Sequence, residues 1–253
     1  MQLPGNVAIV TGASGGIGRA LTIELGLHGM KIVATGRSSQ SLIDTSRLLS
    51  AYDIEHIMIV GDLRDEEFQS NLIHTAQKTF GRIDVFVHNA GIGLFDTIAD
   101  GDLRDAETLF KTNFWAPLQL MKKLAKEMQG GTIVSVSSAA AKYAPYRQGI
   151  YAASKAALER ITEALGIEGS IRTLVVVPDR TQTAFMRNVI GPKENAKLAP
   201  GFSFAAPEVV AKTTIKALRK DRRVAYPTIK SRVYTYLSAG LPSVIYAIQK
   251  KAI

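Results

Sequence analysis

Short apolar runs alternate with helical patterns along most of the chain. The runs are rich in β-branched residues and predict buried strands at residues 7–10, 31–35, 54–60, 85–88, 132–136 and 171–177. Between them, helical periodicity predicts helices at about 19–29, 39–51, 65–80, 103–128 and 151–166. Because strands and helices alternate, right-handed crossovers should bring the strands into one parallel sheet. We therefore expect an α/β fold in a single domain over 1–253, with a doubly wound parallel sheet of about seven strands and helices on both faces.

A glycine-rich turn, Thr11-Gly-Ala-Ser-Gly-Gly-Ile-Gly18, joins the first strand to the first helix. Gly12 would permit a sharp turn. Gly16 and Gly18 would let a pyrophosphate approach backbone N–H groups at a helix N-terminus. The spacing is G-x-x-x-G-x-G, and its position after a strand favours phosphate binding over a merely flexible turn. The sequence thus predicts a Rossmann-like dinucleotide site.

The residues after the second strand bear on which dinucleotide would bind. Gly36-Arg37-Ser38-Ser39 lacks the carboxylate that would accept hydrogen bonds from the ribose of NAD. Arg37 offers a planar cation to a 2′-phosphate instead, although a surface arginine is the alternative. The sequence therefore favours NADP(H) over NAD(H).

Polar residues also follow the third and fourth strands. Asp62 would either accept from an adenine amino group or cap the next helix, and the pattern leaves both roles open. Asn89 would bond backbone groups in its turn, while the small residues Ala90 and Gly91 would let a cofactor lie close. His88 is expected to be a structural histidine with its hydrogen bonds satisfied.

The predicted helix at 103–128 has two irregular features. Asn113 lies among apolar neighbours, and a buried amide needs a hydrogen-bond partner. Pro117 is expected to kink the helix because it lacks an N–H group.

Tyr151 and Lys155 lie four residues apart in a run of good helix formers, so their side chains should share one helix face. An ammonium group beside a phenol should lower the tyrosine pKa from about 10 toward neutrality. The phenol would then act as an acid near physiological pH. Ser138, at the end of an apolar strand, would hydrogen-bond the same substrate oxygen. Taken alone, the Tyr-x-x-x-Lys pair is more often an ordinary exposed helix face.

Together these motifs resemble the short-chain dehydrogenase/reductase family over about residues 5–220. The resemblance implies a catalytic tetrad of Asn113, Ser138, Tyr151 and Lys155. Tyr151 would exchange the proton and Ser138 would polarise the carbonyl. Lys155 would bind the nicotinamide ribose, and Asn113 would hold a relay water. Ser137 would be a neighbour of the catalytic serine.

The family pattern also implies a set of cofactor-contacting residues. They are Gly12, Ser14, Gly16, Ile17, Gly18, Arg37, Asp62, Leu63, Asn89, Ala90, Gly91, Tyr151, Lys155, Pro178, Thr181 and Thr183. The chain departs from the family at Asp179, where a glycine usually follows the proline. It also lacks the glycine-rich C-terminal strand ending of many tetrameric members. The resemblance implies a homodimer in which the helices at about 103–128 and 151–166 pack against a second subunit, with a tetramer as the alternative.

Composition excludes several other classes of protein. The chain has no cysteine and only four histidines, which argues against a disulfide framework and against a metal centre. It shows no signal peptide and no apolar run long enough to span a membrane, so we expect a cytoplasmic location, with peripheral membrane contact as an alternative. Nucleic-acid binding is not expected, because no recognised module accompanies the positive charge.

The segment at about 184–204 falls where the family has a mobile substrate lid. Phe95, Tyr146 and Phe185, with Ser138 and Tyr151, are expected to contact the substrate. These residues suggest an apolar pocket, although core packing would explain some of them equally well. An apolar ketone or secondary alcohol is the expected substrate.

The net charge of +9 is concentrated in the last quarter of the chain. Residues 1–185 hold 18 Lys and Arg against 19 Asp and Glu, whereas residues 186–253 hold 13 against 3. The extension at about 229–253 mixes basic, aromatic and apolar residues. It would either lie on a membrane surface or form two short helices that pack on the core or on a dimer partner, and the second interpretation is preferred.

Three functions remain open on the sequence. The leading one is an NADP(H)-dependent oxidoreductase that transfers a hydride between nicotinamide and a ketone or secondary alcohol. The alternatives are a catalytically silent NADP-binding sensor or scaffold, and a membrane-associated reductase of lipid ketones. A complete tetrad favours the enzyme.

Overall fold

A computed structural model of the chain describes residues 1–128, 130–169, 171–192 and 204–251. Its centre is a parallel sheet of seven strands in the order β3-β2-β1-β4-β5-β6-β7. The strands are β1 Val7–Thr11, β2 Lys31–Gly36, β3 His56–Val60, β4 Val85–His88, β5 Thr132–Val136, β6 Arg172–Val176 and β7 Val224–Ala225. The predicted doubly wound α/β fold is confirmed.

The helices follow the strands in chain order. They are α1 Gly16–Leu27, α2 Ser39–Ala51, α3 Glu66–Phe80, α4 Leu103–Phe110, α5 Ala116–Glu127, α6 Gly149–Glu168, α7 Pro207–Arg219, α8 Ile229–Gly240 and α9 Pro242–Lys251. Two 3₁₀ turns, Ala139–Lys142 and Ala184–Asn188, follow β5 and β6. The part of the predicted lid at 193–203 lies outside the described residues, and the lid stays a prediction.

The core has two layers, one on each face of the sheet. Alternate residues of β1 point to opposite layers: Ala8 and Val10 join one cluster, and Val7 and Ile9 join the other. Apolar residues of α1 and α7 complete the first cluster, and those of α3, α5 and α6 complete the second. With apolar residues on both faces of its strands, the sheet is covered on both sides, as expected of a parallel sheet.

The strand order reverses between β1 and β4, which are neighbours on the sheet although β2 and β3 lie between them in sequence. In open parallel sheets, ligands bind outside the carboxyl ends of the strands at such a switch point. The turn after β1 and the turn after β4 both lie at this position.

The predicted long helix at 103–128 is interrupted. Residues Lys111–Trp115 form a π-helical turn between α4 and α5, and Asn113 lies within it. Pro117 lies in the first turn of α5, directly after this π turn, and the kink at Pro117 stays a prediction. A π turn accommodates an extra residue and is frequent at functional sites.

Across the described residues, no helix combines the length and the apolar character that a membrane span requires.

Candidate active site

A cleft of about 730 Å³ lies at the carboxyl ends of the strands. Most of the residues predicted for cofactor, catalysis and substrate line it. Those that do are Gly12, Ser14, Gly16, Ile17, Arg37, Asp62, Leu63, Asn89, Ala90, Gly91, Phe95, Ser138, Tyr151, Lys155, Pro178, Thr181, Thr183 and Phe185. Three predicted residues, Gly18, Asn113 and Tyr146, are not among the lining residues.

The glycine turn holds its shape through close backbone packing. Gly12 and Gly16 have φ values of +66° and +53°, which lie in the left-handed region that favours glycine. Gly18 lies behind the turn, where a Cβ would be 2.1 Å from the Gly12 carbonyl oxygen. Gly18 therefore supports the turn from inside the protein.

The turns after β1 and β4 are tied together by hydrogen bonds. Asn89 Nδ2 donates to the carbonyl oxygens of Thr11 (3.0 Å) and Gly12 (3.3 Å). Thr11 Oγ1 accepts from the backbone N–H groups of Asn89 (3.0 Å) and Ala90 (3.1 Å). Asn89 thus bonds backbone groups as the sequence indicated, while the part played by the Thr11 hydroxyl was not predicted.

Replacing Gly18 by alanine should destabilise the fold and weaken nucleotide binding together, because the new methyl group meets backbone that cannot rotate away. Overpacking of this kind costs about 1–3 kcal/mol. Gly15→Ala is the matched control, since a Cβ on Gly15 would meet no atom within 4 Å. Thermal unfolding should separate the two variants, and equal melting temperatures would contradict the packing argument.

Arg37 and Asp62 line the cleft next to the ends of β2 and β3. The Asp62 carboxylate accepts from Arg64 Nη2 at 2.6 Å, and this hydrogen bond lowers the pKa of Asp62, with Arg37 contributing in the same direction. Helix α3 is capped by Asp65, whose Oδ1 accepts from the Glu67 N–H group at 2.9 Å. The alternative role of Asp62 as the cap of that helix is therefore wrong.

Tyr151 and Ser138 lie at the inner wall of the cleft. Tyr151 is buried, and the Ser138 hydroxyl lies beside its phenol, where a hydrogen bond to the phenolate lowers the pKa of the phenol. Ser138 begins the first 3₁₀ turn, and its Oγ accepts from the Ala140 N–H group at 3.1 Å. Burial raises the pKa of Tyr151 to about 12, and the Ser138 hydrogen bond opposes the shift only in part. The expectation of a lowered tyrosine pKa is thus not met, because the cost of burying a phenolate outweighs other contributions.

Lys155 is also buried, and its Nζ donates to the Val136 carbonyl oxygen at 3.0 Å. Burial lowers the pKa of Lys155 to about 8, while the charge of Glu159 opposes this shift. Gly91 lies beside the ammonium, and a Cβ there would be 3.3 Å from Nζ. The absence of a side chain at Gly91 keeps the approach to Lys155 open.

Asn113 joins the loop after β4 to helix α6. Its Oδ1 accepts from the Ile92 N–H group (2.9 Å), and its Nδ2 donates to the Ile92 carbonyl (2.9 Å) and to Ser154 Oγ (3.2 Å). The buried amide therefore has the partners that the sequence required. Its predicted role in holding a relay water stays a prediction.

Glu159 binds two residues of the loop that carries Ser138, one before Ser138 in the chain and one after it. Ser137 Oγ donates to Glu159 Oε1 at 2.7 Å, and Lys142 forms an ion pair with Oε2. The Glu159 carboxylate is buried on α6, one helical turn after Lys155. Ser137 is thus bound to Glu159 and leaves Ser138 as the serine that contacts Tyr151.

Aromatic side chains form the outer part of the cleft. The ring of Phe185 lies 5.9 Å from that of Tyr151, and the ring of Tyr234 lies 5.5 Å from that of Tyr143. Tyr146, predicted to contact substrate, is instead about half exposed, with the Arg147 guanidinium over its ring. Tyr234 was missed as a pocket residue, because nothing in its spacing indicates that α8 returns to the cleft.

The segment after β6 closes the cleft on the side of the glycine turn. The Pro178 carbonyl accepts from the Ala139 N–H group at 2.8 Å, and Thr181 pairs with Ala205 as an isolated bridge. Thr183 contacts the glycine turn, where a Cβ on Gly16 would lie 2.9 Å from Thr183 Cγ2. Asp179 lines the cleft, and burial followed by the Asp179 charge raises the pKa of Tyr143 to about 12.

His88, at the end of β4, is fully buried, and neither ring nitrogen has a hydrogen-bond partner within the described residues. Burial, with the Lys155 charge as a second cause, lowers the pKa of His88 to about 3. The prediction that its hydrogen bonds are satisfied is wrong.

The described residues include no cluster of three or more histidine, aspartate or glutamate side chains that would hold a metal ion.

Comparison with known proteins agrees with this geometry. A family model described as short chain dehydrogenase matches residues 6–194. The chain belongs to the short chain dehydrogenase family. The ketoacyl reductase HetN of a Nostoc species is 30% identical to it over 223 residues, which cover 86% of this chain and 76% of that protein.

Solved structures of short chain dehydrogenases share the fold. One from Burkholderia phymatum in complex with NAD is 23% identical, covers 94% of each chain and has a TM-score of 0.85. Another from Burkholderia cenocepacia in complex with NADP is 26% identical, covers 88% of this chain and 96% of that one, and has a TM-score of 0.77. Both nicotinamide dinucleotides thus occur among these structural relatives.

The cleft of this short chain dehydrogenase fits a dinucleotide on physical grounds. Helix α1 begins at Gly16 with no side-chain cap and no acidic residue in its first turn, whereas α2, α3 and α4 are capped by Ser38, Asp65 and Asp102. The N–H groups at the start of α1 therefore remain available to an anion such as pyrophosphate.

Proposed function

We propose that the chain is an NADP(H)-dependent oxidoreductase acting on an apolar ketone or the corresponding secondary alcohol. The observation that carries this proposal is the buried phenol of Tyr151 beside the Ser138 hydroxyl, in the cleft that begins at the glycine turn. A phenol in that place can donate a proton to a substrate oxygen that lies beside a bound dinucleotide.

Three side chains of the cleft have distinct roles in the proposed carbonyl reduction. When bound, the dinucleotide supplies the hydride. Tyr151, whose pKa is raised to about 12, carries its proton at neutral pH and can donate it to the carbonyl oxygen. Ser138 Oγ hydrogen-bonds the same oxygen, and the Lys155 ammonium favours the negative charge that Tyr151 acquires after donation.

The preference for NADP(H) rests on Arg37. Its side chain lines the cleft just after β2, and no acidic residue stands at that strand end. A guanidinium at that place can form an ion pair with the 2′-phosphate of NADP(H). It has no acceptor atom for the hydrogen bond that a ribose hydroxyl of NAD(H) would donate.

Arg37→Asp should raise the KM for NADPH by about 10- to 100-fold, the range expected for losing a charge-assisted hydrogen bond. The KM for NADH should change far less, so the ratio of the two reports on the 2′-phosphate alone. Arg47→Asp removes a comparable charge from an exposed position on α2, away from the cleft lining, and should leave both KM values unchanged. Parallel rises for the two dinucleotides in Arg37→Asp would contradict the assignment.

An apolar substrate is supported by the lining of the outer cleft, where Ile92, Phe95, Phe185, Phe204 and Tyr234 contribute side chains. A panel of apolar ketones, quinones, acyl ketones and sugars with NADPH tests the proposal directly. We expect oxidation of NADPH with apolar ketones and little with sugars. Faster turnover of sugars would overturn the substrate class.

The silent sensor or scaffold is the rival function. It predicts that NADPH binds while no member of the panel is reduced. The buried Tyr151 phenol beside Ser138 favours the enzyme, because a sensor has no need of a buried proton donor. We also propose a homodimer formed through α4, α5 and α6, which sedimentation velocity can test.

A further inference from the structure

The last two helices carry several large apolar side chains that are exposed to solvent. On α8, Ile229, Val233 and Tyr236 follow one another at helical spacing, and all three are exposed, Ile229 by 83%. Leu241, between α8 and α9, and Val244, on α9, are exposed as well. An apolar surface of this kind on a globular protein usually marks an interaction site.

The same segment is strongly basic. From residue 222 to the end, the chain contains six Lys or Arg residues and no Asp or Glu. They are Arg222, Arg223, Lys230, Arg232, Lys250 and Lys251. Arg222, Arg223, Lys230, Arg232 and Lys250 are exposed, and Arg232 lies over the ring of Tyr236. Cations therefore border the apolar face directly.

Three partners could cover this face: a second copy of the chain, a nucleic acid or a lipid surface. The charge of the segment favours one of them. In a two-fold symmetric dimer the same patch meets itself, so a second copy would bring two unneutralised sets of cations together. Nucleic acid would match the charge but would leave the aliphatic side chains exposed to water. An anionic lipid surface satisfies both features, since apolar side chains enter the boundary region while cations attract headgroups.

Helix α8 also reaches the active-site cleft from its other side. Tyr234 lines the cleft and packs against Tyr143, whereas its neighbour Val233 is exposed. Phe204, which lines the cleft as well, is about half exposed. The apolar face and the cleft are therefore separated by the thickness of a single helix.

We propose that α8 and α9 dock the protein on an anionic lipid surface through Ile229, Val233, Tyr236, Leu241 and Val244, with the flanking cations supplying the attraction. The docked orientation places the cleft beside the lipid. An apolar substrate then enters from the membrane boundary without crossing bulk water. The docking itself does not depend on the proposed reaction.

Vesicle flotation of the full chain tests this docking. We expect binding to vesicles that contain phosphatidylglycerol and little binding to vesicles of phosphatidylcholine alone. Lys230→Gln/Arg232→Gln should weaken partitioning by about 30-fold, since each basic residue near an anionic surface contributes about 1 kcal/mol. High salt should weaken it as well.

The apolar contribution needs its own variants. Ile229→Glu/Val233→Glu should abolish flotation, because it removes apolar contact and adds two negative charges. Leu27→Glu/Tyr52→Glu is the matched control, with two exposed apolar residues replaced in the same way outside the patch. The control should float like the unchanged protein, and circular dichroism of each variant checks that it is folded.

Three results would overturn the proposal. One is the absence of flotation with anionic vesicles, or equal flotation with neutral ones. Another is a change from dimer to monomer in Ile229→Glu/Val233→Glu by sedimentation, which would make the face a contact with a second copy. The last is tighter binding to a DNA duplex than to vesicles. Turnover with a soluble ketone is measured in parallel, so that a failed docking and a failed reaction are distinguished.

Discussion

Replacing Tyr151 by phenylalanine should lower kcat for ketone reduction by at least about 100-fold, the scale of general-acid catalysis. The substitution removes one hydroxyl and keeps the ring that packs against Phe185. Binding of NADPH should change far less, since the glycine turn and Arg37 are left intact. Steady-state kinetics and a nucleotide titration measure the two effects separately.

Tyr226→Phe provides the matched control for this experiment. Burial also raises the pKa of the Tyr226 phenol, but that residue is absent from the cleft lining. It should retain nearly full activity. If Tyr151→Phe turned over as fast as the unchanged protein, the proton would come from another group and the proposed mechanism would fail.

Replacing Glu159 by alanine should cost about 3 kcal/mol of unfolding free energy, the lower end of the range for breaking a buried ion pair. The variant leaves Lys142, with a side chain only 17% exposed, and Ser137 without their shared carboxylate. For a chain of this length the loss corresponds to a fall in melting temperature of about 6–12 °C.

A double variant isolates the ionic part of this effect. Lys142→Met/Glu159→Met removes both charges and fills the space with apolar groups, so it should recover much of the stability lost in Glu159→Ala. The Ser137 hydroxyl retains the Lys155 carbonyl, 3.5 Å away, as an acceptor. A double variant less stable than Glu159→Ala would show that the pair stabilises the fold by attraction and not merely by avoiding a lone buried cation.

The parts of the fold that could be predicted are those specified by local pattern. Strands such as β1 and the glycine turn after it are short, continuous signals, and a parallel sheet follows from their alternation with helices. The π turn at Lys111–Trp115 could not be predicted, because apolar residues on either side of it keep an almost helical spacing. Asp62 and Asp65 stand three residues apart, so composition alone did not show which of them caps α3.

The candidate site shows a second kind of limit. The spacing of Tyr151 and Lys155 indicated a shared helix face but carried no information on burial, and burial determines the direction of both pKa shifts. His88 was misjudged for the same reason, since a buried ring nitrogen without a partner depends on every neighbour that encloses it. Tyr234 depends on a contact between distant parts of the chain, which no local pattern encodes.

The contact between Tyr234 and Tyr143 means that the substrate specificity of such a protein can change separately from its reactive groups. Tyr151 and Lys155 belong to helix α6 in the middle of the polypeptide, whereas Tyr234, part of the pocket wall, belongs to α8 near its end. Mutations there can change which molecules are admitted while the bond-making groups stay untouched. Conversely, a variant truncated before residue 229 would keep Tyr151 and Lys155 but would lose Tyr234 from the wall of the cleft.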